Sequence, residues 1–418
     1  MLTAIVSLSA LLVIVILSCV FPKLNPGLLA LAAALGIGVY MAQLSTKVIL
    51  AGFPSELFIL LVTMSMVFGI AQKNGSLDVV THHAVNIIRG QALLLPLLVF
   101  VLSFVISALG PGNIAAVALL APMTMNLAKK HKISPLVIAI MLCTGANAGA
   151  FSPFSPTGVV ALGLLERIQL DTNLIWTVFG ASAVLQSLSA LGAYGIFIIR
   201  SKKRGFVAVS TEVSKIHPVL ETKQKITLLA IVALIIGVIF FKVSLVIMSV
   251  ATAATMFILG LADEEDVMGT VPWSTIQMVT GISVLIGLME KTGGLDLATT
   301  FIAQVTSPDI INALLAFVSG VVSAFSSSSG VVLPAFIPLI PGLATKMSIT
   351  GIVPMVIAVA VGSHMVDVSP LSTLGALSIA AVEDKKQQKR MFNLLLSWGM
   401  GMSVVAGIVA FVFLDLWF

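Results

Sequence analysis

Apolar stretches alternate with short polar loops along the whole chain. A helix needs roughly 20 apolar residues to cross a bilayer. On that measure the pattern predicts spanning segments near 3–21, 26–44, 54–72, 134–165 and 174–199. A second set is predicted near 226–241, 243–262, 272–290, 349–382 and 391–417. Two more apolar stretches, 92–128 and 309–345, are interrupted near their centres by Gly110-Pro-Gly-Asn113 and Ser326-Ser-Ser-Ser-Gly330. Two half-length arms around a small-residue turn predict a re-entrant hairpin in each half. Irregular backbone at membrane depth survives only where protein or a water-filled cavity covers it. Residues 3–21 lack a basic leader and run directly into the next apolar stretch, so they predict a retained span.

Two of the predicted spans carry the same interruption. The first reads Gly145-Ala-Asn-Ala-Gly-Ala-Phe-Ser152-Pro153-Phe-Ser155-Pro-Thr157-Gly158. The second, 217 residues on, reads Gly362-Ser-His-Met-Val-Asp-Val-Ser369-Pro370-Leu-Ser372-Thr373-Leu-Gly375. The Ser-Pro-x-Ser core and both bounding glycines keep register. A second pair, Gly69 to Asp78 and Gly287 to Asp296, repeats a Lys…Gly…Leu-Asp segment that predicts a short surface helix after the third span. Matched helix-breaking residues in two halves of a membrane chain point to a binding site near the bilayer midplane.

Composition narrows the class. Hydrophobic residues make up 59% and charged residues 9%, against about 25% charged in a soluble domain. The fold expected is an all-α polytopic membrane protein. The two cysteines lie inside apolar runs and predict no disulfide framework. The formal charge of +5 sits in loops, which is no nucleic-acid footprint. Its placement orients the chain instead. Each half has five spans, an odd number, so the second half enters the membrane reversed. The expected architecture is two inverted-topology repeats, each five transmembrane helices plus a hairpin. The first covers 1–199 (hairpin 92–128, broken helix 134–165) and the second 226–418 (hairpin 309–345, broken helix 349–382). With both termini outside, inner loops hold 17 of the 22 Lys and Arg, including Lys23, Arg89, Lys132 and the linker 200–225. The outer loops hold 5, the distribution of the positive-inside rule. This places the linker in the cytoplasm and the chain in the cell's inner (plasma) membrane. His82 and His83 are expected at the headgroups.

The candidate site is where the hairpin tips and broken helices converge. Half-helix N-termini offer N–H groups to an anion, and unwound carbonyls suit Na⁺. Candidate substrate contacts are Gly112, Asn113, Ser152, Pro153, Ser155, Thr157, Ser328, Ser329, Gly330, Ser369, Ser372 and Thr373. Candidate coupling-ion groups are Asn113, Asn147, Ser327, His364 and Asp367. Asn113 serves either as a helix cap or as an amide donor to a carboxylate. An Asp at helix centre costs roughly 2.5–3.5 kcal/mol on insertion, so Asp367 is a functional candidate. It binds Na⁺, carries a proton, or caps the following half-helix. His364, one turn before it, either relays protons with Asp367 or bonds a carbonyl. Asn147 and Ala150 occupy the corresponding positions of the first half. No Walker loop, CxxC, HExxH or paired-carboxylate set occurs, which argues against an enzyme, a transition-metal site or ATP-driven transport by this chain. No cofactor is expected beyond Na⁺ at the hairpin tips.

Over Gly110–Pro122 and Gly145–Gly158 above all, the chain resembles the ion transporter superfamily, which includes the divalent-anion:sodium symporters. It looks most like the dicarboxylate carrier MatC-type permeases, and the resemblance runs over nearly the whole length. The symporters carry Ser-Asn-Thr at each hairpin tip, contacting carboxylates and bordering Na⁺. Gly112-Asn113-Ile114 and Ser328-Ser329-Gly330 stand there in this chain, so Asn113 and Ser328 keep the family's residue types. The resemblance implies an elevator mechanism, a homodimer, and a scaffold broadly over 1–44 and 226–262. The function expected is secondary transport of a small carboxylate, malonate or a C4 acid, coupled to Na⁺ or H⁺. The alternatives are a Na⁺/H⁺ or drug/H⁺ antiporter centred on Asp367, or a membrane subunit of a binding-protein-dependent carrier.

Overall fold

The computed structural model describes residues 1–21, 24–80, 92–131, 133–203 and 220–414. Lys23, His82, His83, Arg89, Lys132 and most of the expected linker (204–219) lie outside the described residues. Every regular element among the described residues is helical. The first part of the chain forms α1 (Leu2–Val20), α2 (Pro26–Tyr40), α3 (Ser55–Lys73), α4 (Leu95–Leu109), α5 (Gly112–Lys130), α6 (Pro135–Gly149), α7 (Pro156–Arg167) and α8 (Leu174–Lys203). The second forms α9 (Thr222–Ile239), α10 (Leu245–Ile258), α11 (Trp273–Thr292), α12 (Gly294–Val305), α13 (Ile311–Phe325), α14 (Ser328–Lys346), α15 (Val353–Met365), α16 (Thr373–Ala380) and α17 (Lys385–Val409). Short helices at Thr46–Leu50 and Glu264–Met268 follow α2 and α10.

Seven helices among the described residues are long and apolar enough to cross a membrane: α1, α3, α8, α9, α11, α14 and α17. Their outer faces carry bare apolar side chains, such as Leu12 and Ile16 on α1 and Leu229 on α9. In water such faces would be a liability, and in lipid they are at home. The chain is a multi-pass helical membrane protein.

Two helices differ in length from the expected spans. α2 and α10 have 15 and 14 residues, about 21–22 Å at 1.5 Å per residue, short of a hydrocarbon core of ~30 Å. Tyr40 and Ile258 end them, and each chain then turns into its short helix. The hairpin arms differ too. The first arms, α4 and α13, have 15 residues, and the second arms, α5 and α14, have 19. They are longer than half a span. α14 is irregular, with a π-turn at Ser328–Val332 and a 3₁₀ turn at Ile337–Leu339. Prolines 334, 338 and 341 remove three backbone donors there, so no single hydrogen-bond ladder runs its length.

Packing crosses between the halves. α2 packs on α11, and α10 packs on α3. The first contact is backbone-close, because a Cβ on Gly281 would lie 2.0 Å from Gly27 O. Small residues at a crossing let membrane helices touch without a hydrophobic driving force. The second contact carries a Thr63–Ser249 hydroxyl pair at 2.8 Å. Nearer the interruptions, α7 packs on α14 and α16 packs on α5. Within each part, the hairpin's first arm lies along the helix that precedes the break, α4 on α6 and α13 on α15.

Candidate substrate site at the hairpin tips and interruptions

α6 stops at Gly149 and α7 starts at Pro156. α15 stops at Met365 and α16 starts at Thr373. The residues between make the same backbone bonds at a constant offset of 217. Ala150 N donates to Asn147 O (3.2 Å), Ser152 N to Gly149 O (3.1 Å) and Ser155 N to Ser152 O (2.9 Å). Asp367 N donates to His364 O (3.3 Å), Ser369 N to Val366 O (2.7 Å) and Ser372 N to Ser369 O (3.0 Å). The second serine of each Ser-Pro-x-Ser locks the turn. Ser155 Oγ donates to Ala150 O and accepts from Gly158 N at 3.3 Å. Ser372 Oγ donates to Asp367 O at 2.5 Å. Ser155 and Ser372 are the N-cap residues of α7 and α16, and Pro156 fills the first helical position of α7, where no N–H is needed. Gly158 and Gly375 allow the loop to fold back, since a Cβ would lie 1.8 Å from Ser152 O and 2.1 Å from Ser369 O.

The first hairpin tip turns through Gly110 (φ 140°) and Gly112 (φ 81°), both in the region that favours glycine. A Cβ on Gly112 would lie 2.8 Å from Pro156 Cδ, so the tip sits on the start of α7. Asn113 follows. Its Oδ1 accepts from Ile114 N at 2.9 Å, and its Nδ2 donates to Asn147 Oδ1 at 2.9 Å. Asn147 Nδ2 then donates to His364 O at 3.0 Å, across the two halves. The amide orientations follow from this network. Asn113 thus combines a local bond at the helix start with a bond out of the hairpin.

The second tip is held by serines. Ser327 Oγ accepts from Gly330 N at 3.0 Å. Ser326 Oγ meets Ser18 Oγ of α1 at 2.9 Å. Ser328 Oγ lies 2.7 Å from both oxygens of Asp367 and donates to the carboxylate. Ser323 Oγ, on α13, lies 2.6 Å from Ser328 Oγ and 3.2 Å from Asp367 Oδ1. Ser328 Oγ is also 3.4 Å from Ser363 O. Consecutive carbonyls of α15, at 363 and 364, therefore face the second tip and the end of α6. His364 is fully buried, with Nδ1 3.0 Å from Ala360 O and its ring 4.5 Å from that of Phe151. Among the described residues His364 and Asp367 share no hydrogen bond. Asp367 bonds the hairpin with its side chain, while Ser372 is the N-cap residue of α16.

The structure thus joins Asn113, Asn147, His364, Ser328 and Asp367 into one neighbourhood. Ser152, Pro153, Ser155, Thr157, Ser369, Pro370 and Ser372 are buried in the interruptions around it. Gly112 and Gly330 are buried at the tips, Ser327 and Ser329 are half-buried, and Thr373 is exposed. Ser323, Ser363 and Phe151 were not legible as site residues. Ser323 sits mid-pattern in an amphipathic helix, and its role depends on a partner 44 residues away.

Residues 1–150 match the family model described as dicarboxylate carrier protein MatC N-terminus. This supports a MatC-type dicarboxylate carrier. The matched stretch holds the whole first hairpin and ends at Ala150, the first residue of the first interruption. A search of curated proteins finds no match. The family points to a carrier, with a carboxylate as substrate and lipid as surroundings, and not to an enzyme.

Proposed function

We propose that the chain is a secondary transporter that carries a small dicarboxylate, malonate or a C4 acid, by an ion-coupled elevator movement. The observation that carries this reading is the meeting of both hairpin tips with the helix ends and the second interruption through Asn113–Asn147–His364 O and Ser328–Asp367. α5, α7, α14 and α16 all begin there, and a helix N-terminus carries about half a positive charge. No Lys or Arg lies in the tips or interruptions, so the attraction for a dianion rests on these N–H groups and on the hydroxyls of Ser327, Ser329 and Thr373. Such a site binds an anion and releases it, which suits transport.

The repeated turn bonds and the reciprocal packing support two inverted repeats, 1–199 and 226–418, with broken helices at the substrate site. In this reading the linker 200–225 is cytoplasmic and both termini lie outside the inner membrane. Residues 1–44 and 226–262 serve a dimeric scaffold, while the hairpins and broken helices move as one body. Asp367, Ser323, Ser328 and Ser363 O make a set of oxygen donors at the second tip, the chemistry of a Na⁺ ligand set. The same carboxylate would serve a proton. The purified chain in proteoliposomes should accumulate labelled malonate or C4 dicarboxylate when given a Na⁺ or pH gradient. Asn113→Ala and Ser328→Ala should each reduce that uptake at least tenfold. Unchanged uptake in both would remove the hairpin tips from the site.

A further inference from the structure

At the end of α5 away from its tip, α5, α6, α8 and α17 border a groove of about 1250 Å³. Its two ends differ in chemistry. The rim carries Lys129, Glu383, Asp384 and Arg390, beside the start of α6 at Ser134. The floor carries Pro122, Ile140, Phe197, Leu394 and Trp398. From rim to floor is seven residues along α5 and eight along α17, about 10–12 Å at 1.5 Å per residue. Ile196 and Leu394, also in the lining, are 46% and 40% exposed, so the apolar end opens toward lipid.

The charges at the rim are unevenly committed. Lys129 Nζ lies 2.5 Å from Glu383 Oε2. Asp384 Oδ1 accepts from Lys386 N at 2.8 Å. Arg390 is exposed and makes no ion pair among the described residues. In the floor, the Trp398 indole N–H is buried without an acceptor among the described residues. A guanidinium without an ion pair at the rim of an apolar slot is complementary to an anionic head on an apolar chain. A guanidinium presents parallel N–H groups to a phosphate, and basic pockets between membrane helices recognise lipid head groups in this way. A soluble anion would leave the floor uncovered.

We propose that this groove is a binding site for an anionic phospholipid, with its phosphate on Arg390 and an acyl chain along the floor. The bound lipid braces α5, the second arm of the first hairpin, against α17. The inference does not depend on what is transported.

Thermal unfolding of the full chain in neutral detergent tests it, with added phosphatidylglycerol, phosphatidylcholine or glycerol 1-phosphate. Phosphatidylglycerol should raise Tm by several degrees, phosphatidylcholine by clearly less, and glycerol 1-phosphate not at all. Arg390→Gln should remove at least half of the phosphatidylglycerol shift. So should Leu394→Trp, which narrows the floor from an exposed position. Native mass spectrometry should show a phosphatidylglycerol adduct on the wild type that is depleted in Arg390→Gln. The proposal is overturned by an equal shift in wild type and both variants, or by the absence of a shift in the wild type. Equal response to both lipids, or reproduction by glycerol 1-phosphate, overturns it as well.

Discussion

The interruptions at 150–155 and 366–372 share a backbone and differ in chemistry. Their turn bonds correspond one for one. Ala150 stands in the first where Asp367 stands in the second, and just before them Asn147 on α6 stands where His364 stands on α15. The consequence reaches the hairpin arms. Ser323 on α13 bonds Asp367, whereas Ser107, 216 residues earlier on α4, is buried with its hydroxyl unpartnered among the described residues. Exposure differs as well: the first interruption is buried throughout, while Leu371 of the second is exposed. The main chain sets a common scaffold, and a single carboxylate makes one side of it polar.

The largest effect should be the same on both sides. Gly158→Val and Gly375→Val each place a side chain within about 2 Å of a carbonyl, a clash beyond the usual overpacking cost of about 1–3 kcal/mol. Both variants should lose the folded, monodisperse peak in size-exclusion chromatography. Tolerance of one alone would break the equivalence of the two turns.

The next should separate the sides. Asp367→Ala should lower dicarboxylate uptake at least tenfold, about 1.4 kcal/mol in transition-state terms. Ala150→Ser should stay within twofold. Equal losses would mean that the carboxylate is only structural packing.

A smaller contrast concerns the serines. Ser323→Ala removes a donor from a buried carboxylate and should cost about 1–3 kcal/mol. Ser107→Ala removes a hydroxyl that has no partner among the described residues and should be neutral or stabilising. Denaturation of the two purified variants measures the difference, and a costlier Ser107→Ala would reverse the comparison.

The smallest effect lies at the loop that follows α16. The hydrogen bond from Lys129, and then its charge, hold the Glu383 carboxyl below its usual range. The pair is therefore complete above that range and is lost as pH falls through the lowered value. Both side chains are mostly exposed, so solvent screens the gain. Glu383→Gln at neutral pH should move Tm by no more than about 1 °C. A larger shift would show that this loop fastens α16 to α5 by charge.

Much of this was written in one dimension. Apolar runs marked the spans, because a bilayer leaves few alternatives to long helices. Ser-Pro-x-Ser marked both interruptions, because proline and a capping serine act on their own neighbours. The lengths of α2 and α10 were less legible. The apolar runs continue past Tyr40 and Ile258, where the helices end, since hydropathy does not register a turn among apolar residues.

The sequence by itself determined that the chain lives in a membrane, that one Ser-Pro-x-Ser motif occurs twice, and where the helices stop. Those properties depend on composition and on contacts a few residues apart. Only the tertiary structure decided that Asp367 faces Ser328 and Ser323, and not His364, and that Asn147 reaches His364 O. It also decided that Ser328, and not Ser329, bridges tip to interruption. Such pairings span 34 to 217 residues. They follow from how the hairpins dock on the other helices, a choice that no local pattern of residues encodes.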